Sequence, residues 1–231
     1  MNSDYPDGNY NDPRSETPYR YDVQKNTEND FRPVLTYAII IINVLYFIVE
    51  ILSGGSENTE TALKLGAAYT PYIMGEHEWY RLILPIFMHF GIEHIISNTI
   101  ALFAMGQYVE AYFGRIKFII IYMLSGIAGN VLTIIIECWT GEFAVSVGAS
   151  GAISGLLGAM VIFAIDPRTR KMFPLPRIIF ALALVLLPGF SDANVNATAH
   201  LGGVIAGFTI ALIMYLASLK KNNHNNRVGG R

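Results

Sequence analysis

Long apolar stretches, separated by short polar segments, make up most of the chain after a polar beginning. A transmembrane helix needs about 17–25 mostly apolar residues to cross about 30 Å of hydrocarbon. The shortest of these stretches, residues 176–190, ends near Pro188 and Gly189. The pattern predicts an all-α integral membrane protein, a bundle of six transmembrane helices. We number the predicted spans 1 to 6: 35–54, 92–112, 116–137, 147–165, 176–190 and 197–218.

Polar segments flank the apolar region on both sides. Residues 1–33 are rich in Asp, Asn, Tyr and Pro, a composition that predicts a disordered tail and no cleavable signal peptide. Residues 220–231 are also polar and are expected to form a second tail. The membrane domain is therefore predicted to cover residues 34–219.

The distribution of Lys and Arg predicts the orientation of the spans, because cytoplasmic loops carry an excess of these residues. With six spans, both tails lie on one side together with the loops near 113–117 and 166–177. That side carries fourteen of the 16 Lys and Arg residues, and the other side carries only Lys64 and Arg81. We predict a multi-pass protein of the cell membrane with both termini in the cytoplasm.

Composition supports a membrane protein and argues against several other classes. Apolar residues make up 52% of the chain and charged residues 15%, where a soluble domain would carry about 25% charged residues. The net charge of −2 offers no basic surface, so no nucleic-acid partner is predicted. Cys138 is the single cysteine, which excludes an internal disulfide. The partner that composition predicts is the lipid bilayer.

Polar groups inside a membrane span are costly and are therefore candidates for function, and four of them stand out in the predicted spans. They are His94 and Asn98 in span 2, Ser150 in span 4 and His200 in span 6. In the predicted orientation these spans all run inward, and each residue lies near the outer end of its span. At about 1.5 Å per residue, the four side chains are expected at a similar shallow depth. Their convergence predicts a site near the outer face.

Small residues on spans 4 and 6 would allow these two helices to pack closely. Gly203 and Gly207 form a small-xxx-small face on span 6, and Gly151 and Gly155 form a matching face on span 4. Gly148 is a further small neighbour of the serine, beside which a backbone or a substrate can approach. Such packing would allow a serine–histidine hydrogen bond of roughly 2.6–3.2 Å.

Each of these features also has a purely structural interpretation when it is taken alone. A GxxxG pattern in a membrane helix is usually a packing face. A helical serine usually bonds a carbonyl of the preceding turn, and a histidine near the end of a span is often an interfacial side chain. These separate interpretations do not account for the shared depth of the four residues. The shared depth therefore favours a functional site.

Two other protease chemistries fit the sequence less well. One group of possible metal ligands lies in the outer loop and at the start of span 2: Glu76, His77, His89 and His94. These residues do not form the H-E-x-x-H pattern that places two metal ligands on one helix face. No acidic third ligand stands at a suitable spacing, so we predict no metal and no cofactor. A pair of catalytic aspartates is also not expected, because no span contains an aspartate and Asp192 falls in an outer loop.

Several motifs resemble those of the rhomboid intramembrane serine proteases in their six-span bacterial form. The resemblance covers roughly residues 35–218, and the motifs follow the family's order on the expected spans. The three main motifs are His94-x-x-x-Asn98, Gly148-Ala149-Ser150-Gly151 and Ala199-His200-Leu201-Gly202-Gly203. Further matching positions are Trp79-Tyr80-Arg81, His89, and Glu110 with Gly114.

The resemblance implies a serine endopeptidase that cleaves transmembrane proteins. Ser150 would be the nucleophile and His200 its general base, a dyad without an acidic third member. His94, Asn98 and the backbone N–H of Ser150 would form the oxyanion hole. These roles agree with general chemistry, since a serine hydroxyl needs an adjacent base and the tetrahedral intermediate needs donors fixed in advance.

The resemblance gives the other matching positions structural roles. Arg81 and Glu110 would hold the structure by hydrogen bonds, and Gly203 and Gly207 would pack against span 4. One position departs from the family, which often has an aromatic residue stacked on the histidine four positions after the nucleophile. This chain has Ser154 there, a change that bears on how rigidly the base is oriented.

Two other classes of membrane protein remain as alternatives. A catalytically silent relative that binds membrane clients is expected to lack Ser150 or His200, and both are present. A transporter or channel would line a through path with polar residues, whereas here they gather near one face. The identity of the substrate, the cleavage preference and the oligomeric state stay open.

Overall fold

The computed structural model describes residues 31–187 and 196–228, with side chains described as far as Lys220. Two short 3₁₀ helices, Trp79–Leu82 and Leu84–Phe87, precede α4, and the described residues contain one isolated β-bridge and no longer strand. Eight α-helices lie within this part of the chain: α1 (Val34–Leu52), α2 (Thr59–Leu65), α3 (Thr70–Gly75), α4 (Gly91–Phe113), α5 (Arg115–Thr140), α6 (Ser150–Ile165), α7 (Leu175–Leu186) and α8 (Ala197–Val228).

Six of these helices, α1 and α4 to α8, occupy the six predicted apolar stretches. Among the described residues, three segments are long and apolar enough to cross a membrane: α1, α5 and the part Ala197–Lys220 of α8. α6 and α7 are apolar but shorter. The predicted all-helical membrane fold is confirmed, and the number of spans stays a prediction.

Helix boundaries differ from the predicted ones at spans 4, 5 and 6. At span 6, α8 continues to Val228, beyond the predicted end at residue 218 and into the predicted second tail. α6 begins at Ser150 and not at residue 147, because Gly148 has a φ of 140°, which no helix adopts. α7 ends at Leu186, and the Pro188-Gly189 pair lies outside the described residues. The same holds for Asp192 and for residues 1–30 of the predicted first tail.

α6 lies at the centre of the bundle. Its residues 151–160 are all buried, and it packs against α4, α5, α7 and α8. A helix that is apolar on all sides is expected to be surrounded by other elements. Its 16 residues extend only about 24 Å. This short length is possible because the helix is enclosed by protein on all sides.

Glycines bring α6 and α8 into backbone contact. A Cβ on Gly203 would overlap the carbonyl group of Gly151, and a Cβ on Gly207 would overlap that of Gly155. α5 joins this contact at Gly129, where a Cβ would overlap the backbone of α8. The missing side chains therefore permit an approach that any larger residue would prevent, and the approach sets the position of both helices.

A buried carboxylate ties the end of α4 to the start of α1. Glu110 is fully buried and accepts hydrogen bonds from the backbone N–H groups of Leu35 at 3.0 Å and Thr36 at 2.8 Å. The Thr36 hydroxyl donates to the same carboxylate at 2.8 Å. Pro33 gives α1 no side-chain cap, so Glu110 satisfies N–H groups that a helix start leaves without partners.

Candidate active site

The chain enters α6 through an extended loop that is fixed on two sides. Backbone hydrogen bonds join Ala68 and Ser146 in both directions, at 3.0 and 2.9 Å. The backbone N–H of Gly148 donates to the carbonyl oxygen of Pro85 at 2.9 Å. These bonds hold the loop, so Ser150 takes a defined position as the first residue of α6.

Ser150 and His94 border the same small space beside Gly148. The point where a Cβ on Gly148 would stand lies 3.5 Å from the Ser150 Oγ and 3.0 Å from the His94 Nε2. A Cβ there would also lie only 2.8 Å from the His94 Cε1, so the glycine at position 148 allows the His94 ring to approach Ser150. Within the described residues, the Ser150 hydroxyl has no hydrogen-bond partner. The Ser150 Oγ and the His94 Nε2 are therefore at most 6.5 Å apart, so a substrate carbonyl bound against them could contact both a hydroxyl and a ring nitrogen.

The start of α6 adds backbone donors to the same place. The first N–H groups of a helix have no partner inside it, and α6 has no side-chain cap at Ala149. The helix dipole places partial positive charge at this end. A negatively charged oxygen beside Ser150 is therefore favoured by local backbone electrostatics.

Asn98 lies one turn after His94 on α4 and is buried. Its side-chain amide donates a hydrogen bond to the carbonyl oxygen of His94 at 2.9 Å. A carboxamide has two N–H donors, so this bond leaves the second N–H for another acceptor. His94 and Asn98 are spaced i, i+4 and therefore lie on one face of α4.

His200 is buried near the start of α8. Its Nδ1 lies 3.0 Å from the carbonyl oxygen of Val185, in the last turn of α7. A carbonyl can only accept, so Nδ1 carries the proton and Nε2 keeps a lone pair. No hydrogen bond joins His200 and Ser150 within the described residues, and their pairing stays a prediction.

Asn196, immediately before α8, was not identified from the sequence. Its Oδ1 accepts hydrogen bonds from the backbone N–H of Ala199 at 2.9 Å and from the hydroxyls of Thr198 at 2.6 Å and Thr133 at 3.2 Å. Its Nδ2 donates to the Ser146 Oγ at 3.0 Å. One amide therefore connects the helix of His200, α5 and the loop before Ser150. The signal was an asparagine directly ahead of an apolar run, a preferred N-cap.

Glu50 on α1 was also missed. It is 2% exposed, and both of its carboxylate oxygens lie 3.2 Å from the backbone nitrogen of His89, which donates to them. The ring of His89 packs edge-on against the ring of His94, with centroids 5.2 Å apart. The available signal was an acidic residue inside an apolar stretch, which is costly in a membrane.

Arg81 lies away from the reacting groups and ties the segment before α4 to the end of α2. Its Nη1 donates to the carbonyl oxygens of Leu63 and Ala67, both at 2.9 Å, and its Nε pairs with Glu78. Its guanidinium also lies over the ring of Tyr72, 5.0 Å from the centroid. All of these contacts are internal to the fold.

Metal ligation has no visible basis in the part of the chain that the structure describes. There, no three His, Cys, Asp or Glu side chains come together as a group that could hold an ion. The ring contact of His77 is with Trp79, at 6.2 Å between centroids.

Comparison with known proteins gives one family. Residues 76–217 match the family profile of the Rhomboid domain. "Rhomboid protease GluP" of Bacillus subtilis (strain 168) is 36% identical over 204 residues, which cover 85% of this chain and 39% of GluP. "Putative rhomboid protease YdcA" of the same organism is 34% identical over 190 residues, 78% of this chain and 88% of YdcA. "Rhomboid protease AarA" of Providencia stuartii is 28% identical over 209 residues, 80% of this chain and 74% of AarA. The chain thus spans well under half the length of GluP and most of the length of YdcA.

Proposed function

The chain belongs to the rhomboid family and is a multi-pass membrane protein, and from this premise we propose that it is an intramembrane serine endopeptidase. Its substrates would be transmembrane proteins, cut by a dyad of Ser150 and His200. The observation that carries the proposal is the close approach of two side chains, since the Ser150 Oγ and the His94 Nε2 lie 3.5 and 3.0 Å from one point beside Gly148. A scissile carbonyl bound against these two groups would have its carbon near a hydroxyl and its oxygen near an N–H donor.

The proposed reaction proceeds in two stages. Ser150 Oγ attacks the carbonyl carbon of the substrate and forms a C–O bond, while its proton passes to the Nε2 of His200. The tetrahedral intermediate then collapses, the C–N bond breaks, and the imidazolium gives its proton to the departing amine. Water next attacks the acyl–serine ester, His200 again takes a proton and returns it to Ser150 Oγ, and the second product leaves.

The oxyanion of the intermediate would be stabilised by donors from two helices. His94 and Asn98 contribute side-chain N–H groups from α4, and Ser150 contributes its backbone N–H at the start of α6. Donors fixed in advance are effective because they need no reorganisation as charge develops. Water can take the place of a missing donor less well, since it must be ordered first.

His200 has a support that does not depend on an aromatic ring. The carbonyl of Val185 lies 3.0 Å from its Nδ1, which favours the tautomer with a free lone pair on Nε2. Ser154, the residue at the position of the usual aromatic, is buried. We therefore propose that the Val185 carbonyl orients the base in place of stacking. Catalytic hydrogen bonds are often long in free enzymes and shorten when substrate binds.

The site is proposed to lie near the outer face of the cell membrane, with both tails, 1–33 and 220–231, in the cytoplasm. The asymmetry of Lys and Arg supports this orientation. A membrane-impermeant thiol reagent added from outside should label a cysteine engineered into the 189–196 loop and should fail at one in the 166–177 loop. The variants would be made in a Cys138→Ser background. Labelling in the 166–177 loop alone would place the site at the cytoplasmic face.

The central experiment is cleavage of a panel of tagged transmembrane proteins by the purified chain in detergent or liposomes. Ser150→Ala should abolish cleavage in a folded protein. Ser154→Ala, which changes another serine one turn later on the same helix, should retain it. Full activity of Ser150→Ala would refute the proposed nucleophile. Absence of cleavage by a folded wild type across the panel would favour a silent, client-binding relative.

A covalent probe separates the nucleophile from the choice of substrate. A fluorophosphonate should label Ser150, and His200→Ala should prevent labelling because the hydroxyl then lacks its base. EDTA should leave cleavage unchanged. Inhibition by EDTA that added zinc reverses would instead indicate a metal site and contradict the serine mechanism.

A further inference from the structure

Glu50 is a buried carboxylate with one specific hydrogen-bond partner. It stands in the last turn of α1, among apolar residues, and is 2% exposed. A carboxylate in such a place is costly unless hydrogen bonds compensate for lost water. Its two oxygens accept from a single donor, the backbone N–H of His89, at 3.2 Å each. The position of the segment before α4 is thereby tied to α1.

The side chain of His89 connects the Glu50 contact to His94 in the proposed active site. Its side chain is fully buried, and its ring packs edge-on against His94 at 5.2 Å between centroids. Neither ring nitrogen has a hydrogen-bond partner within the described residues. Burial, with a smaller effect of His94, lowers the pKa of His89 to about 3, so the ring is neutral at neutral pH. A neutral ring without hydrogen bonds is held by its backbone and by packing alone.

We propose that Glu50 is a positioning residue for the oxyanion donor His94. The carboxylate fixes the backbone of His89, and the His89 ring supports one side of the His94 ring. The His94 Nε2 in turn lies close to Gly148 and to the Ser150 hydroxyl. This inference deepens the proposed function and rests on it. Glu50 does not touch the reacting atoms, and its effect on the reaction passes through His94.

The geometry sets how large the effect should be. An oxyanion donor acts at about 2.7–3.1 Å from the oxygen that it stabilises, and a misplacement of about 1 Å can cost about 10²-fold in rate. Without Glu50, the N–H of His89 becomes a buried donor with no acceptor, and its segment must shift to satisfy it. Glu50→Leu is therefore expected to lower kcat by about 10- to 100-fold with little change in KM.

A double-mutant cycle tests whether the effect passes through His94. We would measure kcat for wild type, Glu50→Leu, His94→Ala and the double variant, with thermal unfolding as a check on folding. In the wild-type background Glu50→Leu should lower kcat as stated. In the His94→Ala background the same change should cost less than about 2-fold, because the donor that it misplaces is already absent. Glu50→Gln keeps a neutral and therefore weaker acceptor, and it should lower kcat by only about 2- to 5-fold.

Thr36→Val is the matched control. Thr36 is a fully buried polar residue on the same helix, and it bonds Glu110 at the end remote from Ser150. Any loss of kcat that it causes through folding should be equal in both backgrounds. Equal loss for Glu50→Leu in both backgrounds, or no loss in either, would overturn the proposal.

If Glu50→Leu does not fold, Glu50→Gln takes its place in the cycle. Its smaller loss must then disappear in the His94→Ala background, and full kcat in Glu50→Gln would assign Glu50 to folding alone and overturn the proposal. Failure of the proposed function is recognised separately. In that case wild type cleaves nothing and takes up no fluorophosphonate. If the wild type is active and the effects of the Glu50 and His94 substitutions on kcat are additive, only the proposed role of Glu50 is refuted.

Discussion

Replacing Gly203 with alanine tests whether backbone contact between α6 and α8 determines the catalytic geometry. A Cβ at position 203 would lie 2.9 Å from the carbonyl carbon of Gly151 and 3.3 Å from its Cα, with the carbonyl oxygen nearer still. Carbon atoms pack at about 3.5–4.0 Å, so the two helices must separate by at least about 0.6 Å. Gly203 follows His200 by less than one turn, and the separation therefore moves the base away from Ser150.

The size of both effects follows from this displacement. Overpacking of a well-packed interior typically costs about 1–3 kcal/mol, and we expect the free energy of unfolding to fall by about that amount. A misplacement of about 1 Å can lower the rate by about 10²-fold. The expected loss of kcat is therefore about 10- to 100-fold. KM should change little, since contacts with the unreacted part of the substrate are not altered.

The assay combines thermal unfolding in detergent with kcat on one cleaved substrate. Gly75→Ala is the matched control, because a Cβ there meets no atom within 4 Å and the residue has no positive φ. Gly207→Ala produces a larger overlap, with its Cβ 2.5 Å from both the carbonyl carbon and the Cα of Gly155, one turn farther from His200. It should lose at least as much stability and less kcat. Unchanged kcat in Gly203→Ala, or an equal loss in Gly207→Ala, would refute the argument.

Three further predictions follow from single contacts. His94→Ala and Asn98→Ala should each lower kcat more than they raise KM, by at most about 2.7–4 kcal/mol of transition-state stabilisation. Unchanged kcat in both would remove them from the mechanism. Asn196→Ala should lower the free energy of unfolding by about 1 kcal/mol or more. Asn196→Asp should retain stability, because its carboxylate can accept from the start of α8 and from Ser146. An equal loss in the two variants would argue against the network. His89 has a folded pKa of about 3, below the usual value of about 6.5, so the unfolded chain takes up its proton first as the pH falls. Stability should therefore decline from about pH 6.5 towards pH 3, and thermal melts of His89→Phe should show a weaker decline. An unchanged pH dependence in that variant would contradict the assignment.

Features that depend on local pattern could be predicted from the sequence. Within hydrocarbon each segment must satisfy its own backbone hydrogen bonds, so an apolar run predicts a helix without knowledge of its neighbours. For the same reason the depth of a residue follows from its place along a span, and Ser150, His94 and Asn98 could be assigned to one level. The family motifs are equally local, because each lies within a few residues of the chain.

Boundaries and cross-element contacts were not predictable in this way. α6 starts three residues later than its apolar run because Gly148 adopts a φ of 140°, and nothing in an apolar pattern reports a backbone angle. The amide of Asn196 bonds Ser146, fifty residues away in the sequence. An N-cap signal could have located this asparagine, but not its partner in the loop before α6.

The orientation of the site was decided by tertiary packing. The sequence by itself determined a helical membrane protein and predicted a serine and histidines at one level. Only the packed bundle placed the Val185 carbonyl on the Nδ1 of His200 and the Glu50 carboxylate on the backbone of His89. The physical reason is that the register of one helix against another depends on the contacts between their surfaces. At Gly151 and Gly203 these contacts are between backbones. The hydrophobic periodicity of a single helix does not indicate which carbonyl or carboxylate of a neighbouring helix will contact it.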